Sequence, residues 1–348
     1  MKKKLRKLHI LFDALLVLVV LSVVVFFAIA NLTAYRPQPQ EVLRSKLQPQ
    51  LCLPRQFSVT TWNIGGCGLG KEADFFYDGG KMVRPKRSEV EKNLQSVKNF
   101  LQQDSNDFIL LQEVDVDAKR SHHLNQLQAI AGELKTHSEV FAFSYKAWHV
   151  PLPIFRPLGR VQSGLATFGR CAPYHAVRHT YPGREAWPEH IFQLQRCFVA
   201  CRYTAHNGKD LVLINTHNSA FDNGGKRRQA EMKMLRDFVE KEYHEGSYVV
   251  VGGDFNQTPP CYSKKVGTKQ YTPHPIATAA IPEGWQWVCD TLTPSMRFTN
   301  APYTNSSLTS VTDFFLVSPN VKVLEVATHP LGFTHSDHNP VTARLELQ

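Results

Sequence analysis

The chain has 348 residues, of which 43% are hydrophobic and 20% are charged. These values exclude an intrinsically disordered chain and are typical of a folded protein with one large α/β domain or two smaller ones. The formal net charge is +10, but residues 1–50 hold eight basic and two acidic residues and so carry +6 of it. The remainder is only mildly basic, which is compatible with a phosphate-bearing substrate and does not by itself indicate nucleic-acid binding.

The N-terminal segment combines a basic start with an apolar run. Residues 2–7 are mostly basic, and residues 14–35 carry no charge. At about 1.5 Å per residue, a helix of this length crosses the ~30 Å hydrocarbon core of a membrane. We therefore predict a cytoplasmic basic tail (residues 1–13), a transmembrane anchor (residues 14–35) and an extracytoplasmic remainder in the cell membrane. The sequence Ala28-Ile-Ala30 is also typical of a signal-peptidase site, so a cleaved signal and a secreted protein remain the alternative.

Residues 36–56 are rich in proline and glutamine, which predicts a juxtamembrane linker. One folded domain is then predicted over residues 57–348. The seven cysteines are scattered without a CxxC pair and do not predict a zinc site. Cys261 and Cys289 would be able to form a disulfide outside the cell, but mostly free, buried thiols are the interpretation that we favour.

Within the predicted domain, strand-like segments outnumber helical ones. The predicted strands are 57–63, 108–113, several within 139–170 (163–168 most clearly), 192–203, 211–217, 249–251, 309–317 and a final one after residue 338. The predicted helices are 89–103, 124–134 and 226–242, and a long Pro/Thr/Lys-rich loop covers 257–283. A doubly wound parallel sheet needs a helix after nearly every strand, so this pattern instead favours two packed sheets flanked by helices.

Polar residues recur at or just after the ends of these strands. They are Asn63, Glu113, His217, Asp254 with Asn256, Asp313, and Asp337 with His338. Each alone is typical of a turn, a helix cap or a buried histidine, but their shared placement indicates one site. Carboxylates and amides delivered together at the ends of buried strands suit a phosphate and a hard cation. The glycine-rich loop 64–70 lacks the residues of a P-loop and of a dinucleotide site, so both are excluded.

Six motifs resemble those of the endonuclease/exonuclease/phosphatase superfamily, in family order from about residue 57 to the C-terminus. They are Thr61-Trp-Asn63, Leu111-Gln-Glu113, Asn215-Thr-His217, Gly253-Asp-Phe-Asn256, Thr312-Asp-Phe-Phe and Ser336-Asp-His338. That superfamily includes pancreatic-type deoxyribonuclease, apurinic-site endonucleases, neutral sphingomyelinases and inositol-polyphosphate phosphatases. The resemblance implies a four-layer αββα sandwich of two packed mixed sheets. It also implies Mg²⁺- or Mn²⁺-dependent cleavage of a phosphate ester.

The resemblance assigns three residues to the metal. Glu113 would be the main ligand, with Asn63 beside it and Asp337 as a further ligand. A divalent ion held by such oxygens neutralises the negative charge that protects a phosphate ester from attack.

The resemblance also assigns catalytic roles. Asp254 would orient or deprotonate the attacking water, and Asn256 would hold a phosphate oxygen. His338 would lie at the phosphate with Asp313 fixing its tautomer and favouring its charged form. His217 would donate to a phosphate oxygen or assist the leaving group.

Two further basic groups are weaker candidates. Arg196 lies within a predicted strand and is predicted to bind substrate, with a surface or strand-edge role equally open. Lys119, Arg120, His122 and His123 follow the Glu113 strand. For these four, a solvated loop is favoured over a substrate-binding rim.

The sequence thus predicts a membrane-anchored, metal-dependent phosphoesterase without an obligate protein partner. A lipid head group is an attractive substrate because the anchor holds the site near a bilayer. A nuclease acting on DNA or RNA is the alternative within the same chemistry, and its signature would be a basic surface interleaved with aromatic residues. A catalytically inactive, membrane-tethered binding domain is a third alternative. The polar residues at the strand ends argue against it, because an inactive domain would have no chemical reason to keep all of them.

Overall fold

The computed structural model describes residues 2–45, 53–103, 106–222, 224–264, 266–268 and 271–348. Its helices are α1 (Lys2–Leu32), α2 (Arg87–Gln103), α3 (Gln126–Glu133) and α4 (Lys226–His244). Its strands are β1 (Gln40–Leu43), β2 (Gln56–Asn63), β3 (Phe108–Asp115), β4 (Ser138–Val150), β5 (Gly159–Gly169), β6 (His175–Thr180), β7 (Cys197–Thr204), β8 (Asp210–His217), β9 (Tyr248–Asp254), β10 (Gln286–Val288), β11 (Met296–Arg297), β12 (Thr309–Ser310), β13 (Asp313–Val317), β14 (Val321–Thr328) and β15 (Val341–Leu347).

Two mixed sheets form the centre of the domain. The first has seven strands in the order β1-β6-β7-β8-β9-β13-β10, and the second has six in the order β14-β15-β2-β3-β5-β4. Strands β2 and β3 are parallel, as are β8 and β9, and their neighbours in each sheet run antiparallel. A separate ribbon pairs β11 with β12. The predicted pair of mixed sheets is confirmed.

The central strands are apolar on both faces. Successive residues of each strand point to opposite faces and so pack into different cores, which produces the layers. In β9, Val250 lies in the core between the two sheets, whereas Val249 and Val251 pack in a second core that includes side chains of α4. In β3, Leu110 lies between the sheets, and Leu111 packs in a third core with side chains of α2 and α3. Strands buried on both faces appear in the sequence as continuous apolar runs. The result is the four-layer αββα sandwich that the resemblance implied.

Some strands lie where the sequence analysis placed none or placed them differently. The predicted linker contains β1, whose Gln40 pairs with His179 of β6 at the edge of the first sheet. Strands β6, β10, β11 and β14 were not predicted. The strand predicted over residues 192–203 begins only at Cys197, because Phe192 to Arg196 lie in an irregular segment beside the cavity described below.

The N-terminal helix α1 includes both the described part of the predicted basic tail and most of the predicted anchor. Its segment Lys3–Leu32 is long and apolar enough to cross a membrane, judged by length and composition. Near its C-terminal end, Phe26 stacks on Phe192 with ring centroids 6.0 Å apart. Phe27 lies 5.7 Å from Trp187, also between ring centroids.

The cysteines are mostly free thiols among the described residues. Cys67, Cys197 and Cys201 are buried and unbonded, as favoured from the sequence. Cys261 and Cys289 are also unbonded, with their Sγ atoms 3.1 Å apart. Cys171 is disulfide-bonded, which the sequence analysis did not predict.

Candidate active site

One edge of the double sheet collects the polar residues that the sequence singled out. Three of them end strands, namely Asn63 in β2, His217 in β8 and Asp254 in β9. Asp313 instead opens β13, which corrects the expectation that each of these residues follows a strand. Because β13 runs antiparallel to β9, its first residue pairs directly with Asp254, the last residue of that strand. Strand starts and strand ends therefore meet at the same edge.

The segment with Asp337 and His338 reaches this edge in the same way. It precedes β15, which runs antiparallel to β2. The indole Nε1 of Trp62 donates to the carbonyl oxygen of His338 at 2.8 Å. The Ser336 hydroxyl donates to the carbonyl oxygen of Asn63, also at 2.8 Å. These two bonds fix the segment against the end of β2.

Glu113 reaches the edge through an irregularity inside β3. The pairing of β3 with β5 shifts register between Leu111 and Val114, and Glu113 has a φ of 54°. A positive φ is uncommon outside glycine, and such strain tends to occur at functional sites. Glu113 Oε1 lies 3.5 Å from Asn63 Nδ2. The bulge therefore turns a carboxylate from the strand into the site.

Arg120 holds Glu113 in place, although a solvated loop was favoured for it. Its side chain is only 12% exposed, and it forms ion pairs with Glu113 at 3.1 Å and Asp115 at 2.9 Å. Burial alone would raise the pKa of Glu113, but the charges of Arg120 and Arg196 outweigh it and lower that pKa. Glu113 is therefore ionised at neutral pH, as a metal ligand must be.

Asp254 lies at the centre of the cluster. Its Oδ2 is 3.0 Å from Asn63 Nδ2, 3.5 Å from His217 Nε2 and 3.8 Å from His338 Nε2. Its Oδ1 accepts the backbone N–H of Asn256 at 2.9 Å. Burial raises the pKa of Asp254 to about 6, and the charge of His338 opposes this rise. A carboxyl group whose pKa lies near neutrality is suited to act as a base.

His338 and Asp313 form a buried pair. His338 Nδ1 lies 2.7 Å from Asp313 Oδ2, and the same oxygen accepts the Ser295 hydroxyl at 2.8 Å. Burial alone would lower the pKa of His338, but the carboxylates of Asp313, Asp254 and Asp337 outweigh it and raise that pKa well above its ordinary value. The imidazole is therefore charged, with Nε2 directed towards Asp254.

Three buried nitrogens at the site have no hydrogen-bond partner among the described residues. They are Nη1 of Arg196, Nε of Arg297 and Nδ1 of His217, and all three residues line the same cavity. Burial, and then the charge of Arg196, lowers the pKa of His217 well below its ordinary value, so this ring is neutral. Buried polar groups are almost always paired in native proteins. A guanidinium N–H without a partner inside a cavity is thus a candidate contact for an anion.

Asn256 is held by two neighbours that the sequence did not identify. Its Nδ2 donates to the carbonyl oxygen of Asn218 at 2.9 Å. The Tyr271 hydroxyl donates to Asn256 Oδ1 at 3.1 Å. Tyr271 belongs to the long loop predicted at 257–283, so part of that loop borders the site. The proposed contact of Asn256 with a phosphate oxygen stays a prediction.

The carboxylates on the other side of the cluster have the chemistry of a divalent-cation site. Glu113, Asp337 and Asp78 all line the cavity. The pKa of Asp337 is raised to about 7, chiefly by burial; the charges of Glu113 and Asp78 contribute to the rise, and those of His338 and Arg297 oppose it. Crowded carboxylates of this kind suit a hard cation, which would relieve their repulsion. Asp78 was not predicted from the sequence, because it lies in a turn remote from every motif.

Asn63 lies beside Glu113, with its Nδ2 3.5 Å from Glu113 Oε1, and its role as a metal ligand stays a prediction. Its Oδ1 accepts the backbone N–H of Gly65 at 3.0 Å, and its Nδ2 faces Asp254. A second group that could hold a metal consists of Asp254, Asp313 and His338, whose ligand atoms lie within 4.8 Å of one another. Since His338 Nδ1 is already bonded to Asp313, this group is better described as an acid–base cluster.

A cavity of about 460 Å³ opens in front of these residues. Its lining combines the polar cluster with apolar side chains, of which Tyr145 and Leu158 belong to one buried cluster with Phe192 packed against it.

Comparison with known families and structures identifies the fold. The model of the endonuclease/exonuclease/phosphatase family matches residues 60–338. The chain belongs to this family. Members of the family are typically metal-dependent phosphoesterases or nucleases. A search among curated proteins found no match to the sequence.

Three solved structures illustrate the likeness. An endonuclease/exonuclease/phosphatase from Beutenbergia cavernae has a TM-score of 0.59 and 18% identity, covering 84% of this chain and 72% of that one. Truncated TDP2 from Caenorhabditis elegans has a TM-score of 0.55 and 15% identity, covering 84% and 97%. TDP2 from D. rerio, complexed with a single-strand DNA product, has a TM-score of 0.54 and 13% identity, covering 84% and 99%. At such identities these structures show the shared fold alone.

Proposed function

We propose that this chain is a membrane-anchored phosphoesterase, dependent on Mg²⁺ or Mn²⁺, that hydrolyses a phosphodiester or phosphomonoester with water. The observation that carries the proposal is the unpaired Nη1 of Arg196, buried in a cavity beside Asp254, His217 and His338. A phosphate oxygen would satisfy this nitrogen. The same cavity supplies a base, a charged imidazole and a group of carboxylates. The substrate anion, the groups that transfer protons and the cation would therefore all lie in this one cavity.

Glu113 and Asp337, with Asp78 beside them, are the residues that would hold the metal ion. When bound, the ion would neutralise charge on the phosphate and polarise it towards attack. The chain fits this role because the three carboxylates line the same cavity and the charges of Glu113 and Asp78 act on Asp337. Asn63 acts here as a positioning residue, since its Nδ2 is directed at Asp254 at 3.0 Å.

The remaining residues act on the substrate and the water. Asp254 accepts a proton from the attacking water, while Asn63 and the backbone of Asn256 hold its carboxylate in one orientation. The charged His338 stabilises negative charge that develops on the phosphate, and Arg196 binds a phosphate oxygen. The neutral His217 carries one ring proton: on Nδ1 it is donated to another phosphate oxygen, and on Nε2 it is donated to Asp254 Oδ2, which lies 3.5 Å away.

We infer that α1 anchors the protein, with its basic end in the cytoplasm and the catalytic domain outside. The length and apolar composition of Lys3–Leu32 support this arrangement. Cleavage after the segment around Ala30 would instead release the domain. A full-length protein in the membrane fraction supports the anchor, and a shorter protein in the soluble fraction supports cleavage.

A nuclease is the second candidate. It is favoured by one observation, the likeness of the fold to TDP2 from D. rerio complexed with a single-strand DNA product. The same cluster of residues would serve, because a DNA strand and a lipid head group present the same phosphodiester.

The test uses the full-length protein in nonionic detergent with Mg²⁺. The substrates are bis-p-nitrophenyl phosphate, p-nitrophenyl phosphate, single-stranded and plasmid DNA, and vesicles containing sphingomyelin or a phosphoinositide. His338→Ala and Asp254→Asn are compared with the exposed controls His244→Ala and Asp237→Asn.

We expect turnover by the wild type and by both controls, and a loss of at least about 100-fold in the two site variants. Full activity in His338→Ala or Asp254→Asn would contradict the assignment of the site. A folded wild type that is silent on the whole panel would contradict the proposed activity and support the binding-domain alternative. DNA cleavage without turnover of the lipids would favour the nuclease.

A further inference from the structure

The residues that line the cavity form a polar group and an apolar group. The polar wall is the catalytic cluster. The apolar wall includes Val150, Pro151 and Leu152 at the start of the β4–β5 loop and Leu158 at its end, and Val150 and Leu158 belong to one buried apolar cluster with Phe192 packed against it. Phe221 also lines the cavity, where its ring contacts Tyr271. A hydrolysed phosphate needs only the polar wall. The apolar wall therefore fits a different part of the substrate.

This apolar wall is continuous with the N-terminal helix. Phe192 lines the cavity, and its ring also contacts Phe26 and Phe27 of α1, at centroid distances of 6.0 and 6.3 Å. Trp148 and Trp187 flank the same two helix residues, at 6.1 and 5.7 Å. Phe26 and Phe27 lie within the last two turns of α1, which ends at Leu32. Tryptophans are enriched where a membrane-spanning helix meets the membrane surface.

The loop between β4 and β5 extends the apolar surface outwards. Within it, Phe155 is 97% exposed and Ile154 is 75% exposed. Leu152 is 52% exposed and also lines the cavity. Arg156 follows directly and is exposed as well. Two large apolar side chains with an adjacent cation are typical of a segment that enters the interface of a bilayer.

We propose that the cavity and this loop form one apolar path from the membrane surface to the catalytic cluster, and that the substrate is a membrane lipid with a phosphate ester in its head group. The lipid's apolar chain lies along Leu152, Leu158 and Phe192, and its phosphate reaches Arg196. This inference rests on the proposed function and specifies its substrate class. The lipid comes from the leaflet in which the outer end of α1 is embedded.

The aliphatic character of the wall distinguishes a lipid from a nucleic acid. Single-stranded nucleic acids bind on aromatic platforms within a basic groove. Here the aliphatic Val150, Leu152 and Leu158 lie among aromatic lining residues, and Ile154 and Phe155 are exposed on the same loop as Leu152. A DNA strand would leave these aliphatic side chains without a partner.

The experiment compares two substrates with the same leaving group. One is hexadecyl p-nitrophenyl phosphate, which carries a long alkyl chain, and the other is bis-p-nitrophenyl phosphate, which has none. Full-length protein in mixed micelles of a nonionic detergent gives kcat/KM for each. The variants are Leu152→Asn and Phe221→Asn, and Leu292→Asn, which is 93% exposed and outside the cavity lining, is the matched control.

We expect the wild type to favour the hexadecyl ester by at least ten-fold in kcat/KM. Because micelles concentrate this ester for every variant alike, the deciding quantity is the change in that ratio. The ratio should fall at least five-fold in Leu152→Asn and Phe221→Asn and keep its wild-type value in Leu292→Asn. Circular dichroism and melting temperature establish that the variants are folded.

The inference and the proposed function fail in different ways. Turnover of bis-p-nitrophenyl phosphate with the same ratio in the wild type and both cavity variants would overturn the lipid inference and leave the phosphoesterase intact. Absence of turnover of both esters by the folded wild type would contradict the proposed function, and this inference with it.

Discussion

His338 Nδ1 lies 2.7 Å from Asp313 Oδ2, while His338 Nε2 faces Asp254 Oδ2 at 3.8 Å. Asp313 thus fixes which ring nitrogen is directed at the site, although it does not line the cavity itself. The Ser295 hydroxyl holds the same carboxylate oxygen at 2.8 Å. In the proposed reaction, Asp313 is therefore a positioning residue that acts through His338.

Asp313→Asn is expected to lower kcat by about 10²–10⁴. The amide keeps the shape of the side chain and the bond from Ser295, but it removes the charge that holds His338 protonated. Steady-state kinetics on bis-p-nitrophenyl phosphate measure this loss, and Asp237→Asn on the exposed face of α4 is the matched control. Because Asp313 does not contact the cavity, we expect KM to change much less than kcat. An unchanged kcat would show that the pair has no role in the reaction.

Asn215 connects the two sheets. Its Oδ1 accepts Gln112 Nε2 at 2.8 Å, and its Nδ2 donates to the carbonyl oxygens of Leu111 at 3.2 Å and Ala166 at 3.1 Å. Asn215→Ala leaves these buried groups unsatisfied, so we expect a loss of about 1–3 kcal/mol in the free energy of unfolding. Denaturant unfolding measures it, with the exposed Asn300→Ala as control. Equal stability of the two variants would mean that water replaces the network.

Gly253 allows β9 to lie close to β8 just before Asp254. A Cβ at residue 253 would lie 2.0 Å from the carbonyl oxygen of Thr216, so the strand would have to shift. Gly253→Ala is therefore expected to displace Asp254 and to lower kcat/KM by about 100-fold or more. Gly132→Ala is the control, because nothing lies within 4 Å of its added Cβ. This helical substitution should stabilise the protein by about 0.5–1 kcal/mol. Wild-type activity of Gly253→Ala would contradict the account that the close packing of β9 on β8 at this residue positions Asp254.

His179 makes stability depend on pH. Its ring stacks on Phe198 with centroids 4.6 Å apart and contacts Phe238 at 4.7 Å. Burial, and then the charges of Arg202, Arg178 and His175, lower its pKa to about 4. In the unfolded chain a histidine has a pKa of about 6.5. Between these values only the unfolded chain binds the proton, so the stabilisation is complete above about pH 6.5 and is lost as the pH falls towards 4.

The variant His179→Phe removes this titration. We expect its free energy of unfolding to fall less steeply than that of the wild type between about pH 6.5 and 4. The exposed His244→Phe should keep the wild-type dependence. Parallel curves for the wild type and His179→Phe would show that His179 is protonated in the folded protein.

The sequence identified most of the site because the polar residues follow apolar runs that are easily recognised. Asn63, His217 and Asp254 end strands, and the antiparallel partners β13 and β15 bring further residues to the same edge. The shared placement at strand ends indicated one site. Which strands are neighbours depends on contacts between distant segments, so the arrangement of the residues within that site was inferred from the family motifs.

Other features of the candidate site and the fold could not be predicted from the sequence pattern. Asp78 joins the site from a turn, and Tyr271 joins it from the long loop, through contacts that depend on tertiary structure. Arg120 looked like part of a basic loop, yet Glu113 and Asp115 bury it as an ion-pair partner. The strand β1 is short and partly exposed, so its composition resembles that of a linker.

The most direct test of the central claim is the dependence of hydrolysis on a divalent cation. Full-length protein is treated with EDTA and dialysed, and the initial rate on bis-p-nitrophenyl phosphate is measured as Mg²⁺ or Mn²⁺ is added back, for the wild type and for Glu113→Gln. We predict that the treated wild type is inactive and regains its rate with the metal, and that Glu113→Gln regains little at the same concentration. A wild-type rate unaffected by EDTA, or full recovery of Glu113→Gln, would contradict the account.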